Sequence, residues 1–395
     1  MKPQALPGLP RPGFFQALRR WWGPNPLLQM GLFGGLIALL ILLGLNMLAT
    51  MRHLGLSPGF DFLGRAANFE IGEALIPFSA SDVYARALLV GLLNTIAVSV
   101  LGCFLATILG LLLGVARLSG NLLLSGFVQG YIEAVRNVPL LLQLFLWSAI
   151  THALPPPRQA LQPLDTVFLS NRGVFLPTLH LEAPSALWLI ALAWVGVAGL
   201  YLLVRPRIPW GSSLRLAKPV VVLSILFLLL AFVLSEGAIA VEAPQLKGFN
   251  IVGGVSLSPE FAALLLGLTV HTSAGVAEIV RSGIESVSVG QWEAGKALGL
   301  SRSRILRLIV LPQAMRVITP LITSSYLDLT KNSSLAVAIG FPDLVSIVNT
   351  SANQTGQALE TITILVGVYL VLNLTVSFVM NKHNARLAAR GMLGK

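Results

Sequence analysis

The sequence predicts an all-α polytopic membrane protein with about eight transmembrane helices. Three observations carry that reading. Of the 395 residues, 55% are hydrophobic and 11% are charged, against roughly 25% charged in an average soluble domain. Mean hydropathy is +0.80. A soluble fold of this size has too little polar cover for so much apolar surface. Apolar runs long enough to cross a bilayer, roughly 20 residues, then recur along the chain. Finally, basic residues collect in alternate connections between those runs.

The runs lie near 27–50, 87–116, 122–154, 186–204, 219–235, 259–283, 306–330 and 358–381. The third is interrupted by Glu133, Arg136 and Pro139. It reads either as one span or as an interfacial helix followed by a shorter span from Pro139. The segment 1–26 is basic and too long for the lead of a signal peptide. The apolar run behind it exceeds an h-region of about 7–15 residues. It is therefore expected to be a retained, membrane-spanning N-terminal helix at 27–50.

Segments 1–26, 205–218, 284–307 and the tail hold Lys2, Arg11, Arg19, Arg20, Arg205, Arg207, Arg215, Lys218, Lys296, Arg302, Arg304, Arg307, Lys382, Arg386, Arg390 and Lys395. The connections 51–84, 155–185 and 236–258 hold only Arg52, Arg65, Arg158, Arg172 and Lys247. Positive loops stay inside, so both termini of this multi-pass chain are expected in the cytoplasm. The net charge of +11 thus reflects membrane orientation and lipid contact, with no nucleic-acid partner implied. The lone Cys103 excludes an intrachain disulfide. With five histidines and no tight cluster, no metal site is expected.

The stretch 155–258 opens on three prolines and carries two plain apolar runs. It reads as an insertion between a first working part, 85–154, and a second, 259–382, with 383–395 as a cytoplasmic tail. No internal repeat is evident, which weakly disfavours secondary transporters built from inverted repeats.

The most informative segment runs from Gln291 to Pro312. It reads as a short helix, a glycine stop and a second helix. Gly299 suits the left-handed residue that ends the first helix. Ser301 suits the cap of the next. Pro312, inside the following apolar run, removes a backbone hydrogen bond and predicts a bend. A stiff elbow projecting into the cytoplasm suits force transmission from a cytoplasmic partner.

This loop resembles the EAA motif of ABC importer permeases, whose pattern is E-A-A, three residues, G, nine residues, I-x-L-P. Glu293, Ala294, Gly295, Gly299, Ile309, Leu311 and Pro312 fall at that spacing, with Gly295 where the pattern has alanine. The segments 131–142, Ala277–Ile284, Gly290–Glu293, Pro312–Ala314 and Lys331–Leu335 are similar to the polar amino acid branch of that family. The resemblance covers about 87–154 and 259–382, five spans. The extra helix at 27–50 and the 155–258 insertion resemble the larger chains that serve general L-amino-acid uptake.

The resemblance implies an amino-acid permease subunit of an ATP-driven importer, working by alternating access and doing no covalent chemistry. It implies a pair of cytoplasmic ATP-binding subunits on the elbow loops, a second and distinct permease chain, and a periplasmic amino-acid-binding protein. ATP and Mg²⁺ would sit on the partner ATPase, and this chain would carry no cofactor. The run Gly290–Ala297 nearly matches a phosphate-binding P-loop. It ends in Ala297, which lacks the Mg²⁺-binding hydroxyl, and no strand precedes it.

Charges at membrane depth are costly and mark pathway residues by default. Glu278 and Arg281 share a helix face, as do Glu133 and Arg136; each pair either anchors helices or faces solute. Asp328, Lys331, Asn332, Ser333 and Ser334 cluster at what reads as the outer end of the 306–330 span. They form either a hydrated turn or a site for a zwitterion. In the second case Asp328 would accept from the ammonium, and serine hydroxyls would donate to the carboxylate. Asn94, Thr95, Thr272 and Ser273 either line a path or bond helices together. His271 reads as a packing residue.

Two other classes compete. An ion-coupled secondary transporter would leave the elbow without a purpose. A membrane enzyme would need a nucleophile–base pair or a cofactor fingerprint, and no catalytic residue is found.

Overall fold

The computed structural model describes residues 26–53, 59–181 and 239–392. Most of these are helical. Helix α1 (Pro26–His53) is apolar all round, and its described side chains are exposed, as befits a helix whose solvent is lipid. The remaining helices are α2 (Tyr84–Arg117), α3 (Leu122–Asn137), α4 (Leu140–His152), α5 (Pro259–Glu285), α6 (Val289–Ala297), α7 (Arg302–Ile305), α8 (Leu311–Asn332), α9 (Leu344–Thr355) and α10 (Ala358–Met392). Five stretches are long and apolar enough to cross a membrane: Leu28–Asn46, Tyr84–Arg117, Pro259–Glu285, Arg302–Ile339 and Ala358–Lys382. The expected spans 186–204 and 219–235 lie outside the described residues.

The interrupted third run is a broken one. Helices α3 and α4 meet at 104°. Pro139 disfavours helical backbone at Val138, which is extended at φ −94°, ψ 127°. Asn121 caps α3 by accepting from the amides of Leu123 and Leu124.

Helices α2 and α5 form the most extensive helix pair, and small residues on α2 make it possible. Gly102, Ala106, Gly110 and Gly114 recur every four residues and are covered by neighbouring helices. A Cβ on Gly110 would lie 2.6 Å from Val276, and one on Gly114 would lie 2.9 Å from Val280. Lipid tails are as apolar as side chains, so close van der Waals packing of this kind drives helix association in a bilayer. On the other side of α5, Gly283 receives Ile318 of α8.

The chain from Arg302 to Ile339 is one continuous helical rod, about 57 Å long at 1.5 Å per residue. The disturbance expected at Pro312 takes the form of a π-turn, Leu306–Val310, just before it. A π-turn re-registers the hydrogen-bond ladder, which relieves the missing N–H and ring clash of a proline.

Among the described residues, the connections opposite the basic loops add short strands to a chain that is mostly helical. Strands β1 (Leu161–Leu164), β2 (Val167–Ser170), β3 (Gly173–Leu176) and β8 (Val255–Leu257) form an antiparallel sheet in that order. Strand β4 (Thr178–Leu181) pairs with β5 (Ile239–Glu242), and β6 (Gln245–Lys247) pairs with β7 (Asn250–Val252). Leu181 lies opposite Ile239. The stretch 155–258 thus leaves the helices after α4 and returns to α5 with its two limbs zipped together.

Helix α9, between the two last spans, is seated by polar contacts to α2. The Thr95 hydroxyl accepts from the Leu344 amide at 3.0 Å, and the Asn94 amide donates to the Glu73 and Pro342 carbonyls at 2.8 and 2.9 Å. Asp343 caps α9 by accepting from the Ser346 amide. Its carboxyl is fully buried, and burial pushes it up to about 7. Burial likewise pushes the Glu73 carboxyl up, although the Ser258 hydroxyl donates to it.

Candidate functional site: an elbow and a cavity on one rod

At the basic end, α6 ends in a complete glycine stop. Gly299 takes φ 69°. Its amide donates to the Lys296 carbonyl at 2.9 Å, and the Leu300 amide reaches back to the Gly295 carbonyl at 3.1 Å. These are the paired bonds of a Schellman motif. Ser301 holds the N-cap position of α7 with extended backbone, but its hydroxyl makes no capping bond. Gly295 is buried against Ile305, and an added Cβ would lie 2.8 Å from Ile305 Cγ1. The departure from alanine at this position is therefore a packing feature: Ile305 occupies the space a methyl would fill. Glu293 and Ala294 are exposed. So are Val289 at 70% and Leu298 at 76%. Ile309 lies in the π-turn, and Leu311 and Pro312 open α8.

Above the elbow, Arg117 of α2 pairs with Glu278 of α5. Arg281 bridges Glu278, at 2.5 Å, and Glu285. This places Glu278 in an ion network between helices. Glu133 accepts from Gln129 at 2.8 Å, and Arg136 turns to a cavity.

That cavity has a volume of about 340 Å³. Helix α5 contributes His271, Thr272 and Gly275, α8 contributes Ser325, Asp328, Leu329, Lys331 and Asn332, and α3 contributes Arg136. Asp328 stands within helix α8 rather than in a turn. His271 is the thirteenth of 27 residues in α5, and Leu329 packs against Gly102 in the interior of α2. The cluster therefore lies level with the middle of α5 and the interior of α2. Asp328, Lys331 and Arg136 are exposed on the cavity's open side, and Thr272 is buried.

Of the residues singled out from sequence, Thr272, Asp328, Lys331 and Asn332 come together here. The others do not. Ser273 is fully buried and donates to the Val270 carbonyl. Ser333 and Ser334 donate to the Thr330 and Lys331 carbonyls of their own rod. Asn94 and Thr95 hold α9. Arg136, one of the charges that could face solute, does line the cavity, while His271, Gly275, Ser325 and Leu329 are cavity residues that sequence reasoning left out of the path. The signal of Arg136 and His271 was a charged or titratable group inside an apolar run.

The protein-family model described as "Binding-protein-dependent transport system inner membrane component" matches residues 211–389. The chain is similar to YhdX of Escherichia coli (strain K12), which bears the name of an amino-acid ABC transporter permease; identity is 44% over 375 residues, spanning 92% of this chain and 95% of that protein. It is 41% identical over 367 residues to the general L-amino acid transport system permease protein AapQ of Rhizobium johnstonii, spanning 90% of this chain and 92% of AapQ. It is 37% identical over 389 residues to the glutamate/glutamine/aspartate/asparagine transport system permease protein BztB of Rhodobacter capsulatus, spanning 88% of this chain and 91% of BztB. With apolar helices of spanning length and full-length relatives of one kind, the chain belongs to the amino-acid ABC transporter permeases, the inner membrane components of binding-protein-dependent transport systems.

Proposed function

We propose that this chain forms part of the path by which an ATP-driven importer carries amino acids inward, and that its elbow is the contact with the ATPase. One observation supports this above the rest. The rod Arg302–Ile339 carries both halves of the machine. Its basic end is the elbow, clamped by Gly295 on Ile305, and its middle presents Asp328, Lys331 and Asn332 to the cavity. A push on the elbow reaches the cavity residues through helical backbone that passes the π-turn and Pro320. Alternating access then follows from tilting this rod against the α2–α5 pair, the ATPase supplying the push.

Charge level with the middle of α5 argues for a second permease chain. Asp328, Lys331 and Arg136 stand exposed, and lipid is too costly a neighbour for them. A partner subunit, distinct from this chain by analogy with its larger relatives, would close the cavity into a path. ATP and Mg²⁺ belong to the cytoplasmic subunits, because the near match to a P-loop at Gly290–Ala297 is a plain helix and its start, without the cradle a phosphate needs. An external binding protein delivers solute at the end bearing the β-hairpins. Both termini are cytoplasmic.

The test is gentle extraction of the tagged chain from its own membrane. Co-purification of an ATPase and a second permease is expected. Glu293→Lys should release the ATPase and leave the permease pair intact. A chain that comes out alone and transports amino acids on an ion gradient would overturn the reading.

A further inference from the structure

The cavity holds a histidine whose proton is placed by a neighbour. Gln143 of α4 is buried at the break between α3 and α4. Its Nε2 donates to the Val135 carbonyl at 2.8 Å and the Val138 carbonyl at 2.9 Å, and stands 3.1 Å from His271 Nδ1. Two carbonyl oxygens can only accept, so they fix which end of the amide is nitrogen. A nitrogen bearing hydrogens cannot also accept a proton from Nδ1. His271 Nδ1 therefore presents its lone pair to Gln143, sharing two hydrogens with the two carbonyls. The ring's proton resides on Nε2. His271 thus enters the cavity as a neutral, oriented N–H donor.

The charge balance around that donor is uneven. Of the ionised groups that line the cavity, Arg136 and Lys331 are cations and Asp328 is a carboxylate. Two cations against one carboxylate leave one positive charge. A zwitterion with a neutral side chain adds nothing to this balance. Its ammonium takes Asp328 and its carboxylate takes one cation, leaving a cation and the His271 N–H without a partner. A side-chain carboxylate satisfies both.

We propose that His271, oriented by Gln143, is a specificity-determining residue that favours amino acids with a side-chain carboxylate. Gln143 is its positioning residue. The inference rests on the cavity being the solute path. It also gives His271 a role that a packing histidine lacks.

The test uses the complete transporter with its binding protein in proteoliposomes, supplied with ATP, and measures uptake of glutamate and alanine. Both solutes pass through the same binding protein, so a change in their ratio between parent and variant reports the membrane path. His271→Leu should lower the glutamate-to-alanine ratio roughly tenfold, the scale of a lost hydrogen bond to a charged group. His271→Gln keeps a donor and should retain most of the ratio. Gln143→Leu should lower the ratio in the same direction, and the double variant should add little, as coupled residues do. If His271→Leu does not assemble, Gln143→Leu decides the matter. An unchanged ratio in the assembled variants, or a parent that carries alanine but no glutamate, overturns the proposal. Asp328→Ala separates the two levels. If it abolishes uptake of both solutes while the His271 ratio is unmoved, the path stands and the specificity role falls. If neither Asp328→Ala nor His271→Leu alters any uptake, the path reading falls as well.

Discussion

The elbow and the cavity are built in opposite ways. The elbow is contiguous: twenty-odd residues from Gln291 to Pro312 supply its helix, its stop and its hinge. Its geometry is enforced by local rules, a left-handed glycine and a Schellman pair. The cavity is assembled from α3, α5 and α8, which are far apart in sequence. Its geometry depends on how closely α2, α5 and α8 approach, and so on glycines that touch no solute. A contiguous site is vulnerable at its own residues. An assembled site is equally vulnerable at the spacers that set its walls.

The difference can be broken most severely at the elbow. Gly299→Pro forces φ from +69° to about −65° and deletes the amide bond to Lys296, a disturbance of about 3 kcal/mol. Uptake should be abolished with membrane insertion retained, as read by transport assay beside quantitative blotting of the membrane fraction. Normal uptake would mean that the stop does not matter to coupling. Gly110→Leu attacks the cavity from outside it. Even a Cβ at Gly110 would meet Val276 at 2.6 Å, so the α2–α5 pair must separate at a cost of about 3 kcal/mol. Solute binding and thermal stability in detergent should both drop, while a peptide copy of the elbow would still bind the ATPase.

Smaller effects sharpen the contrast. Gly295→Ala restores the residue usual in the motif but crowds Ile305. It should cost about 1 kcal/mol, and Ile305→Val should recover it; a stabilised single variant would show that Ile305 yields freely. Asp343 touches neither site and serves as a control. Its carboxyl titrates near 3.8 when solvated and near 7 in the fold, so folding favours the protonated form. Its contribution to stability is complete below about pH 3.8 and is lost as pH rises through 7. The thermal midpoint of the parent should fall across about pH 4–7, and Asp343→Asn should flatten that slope without altering the uptake ratio of any two solutes.

Much of this was legible because bilayer physics writes itself plainly. A run such as 259–283 cannot be soluble, and Pro139 cannot continue a helix without penalty. The elbow was legible for the same reason it is robust: its signals are adjacent. The cavity was not, because neither His271 nor Arg136 carries any mark of the other's nearness. The place of Asp328 beside α3 and α5 was not legible either, because a run read as a span says nothing of which helices surround it. The spacing of Gly102, Ala106, Gly110 and Gly114 is readable, but in a span assignment glycine merely counts as tolerated. The strands of 161–181 hide in a connection whose hairpin cue, Ser170–Gly173 between two apolar runs, is overshadowed by its neighbours' length. Helix α9 escapes for want of hydrophobicity; Asp343 and Thr95 hold it instead.

The zipped limbs of the stretch 155–258 bear on how the chain can change. Because Leu181 and Ile239 are paired neighbours, whatever is threaded between them begins and ends at a single point on the molecule. Lengthening that thread costs the helices only the slow, logarithmic entropy of a longer closed loop. The β4–β5 pair therefore gives whatever lies between residues 181 and 239 a single point of attachment, so its length can change while the helices keep their register.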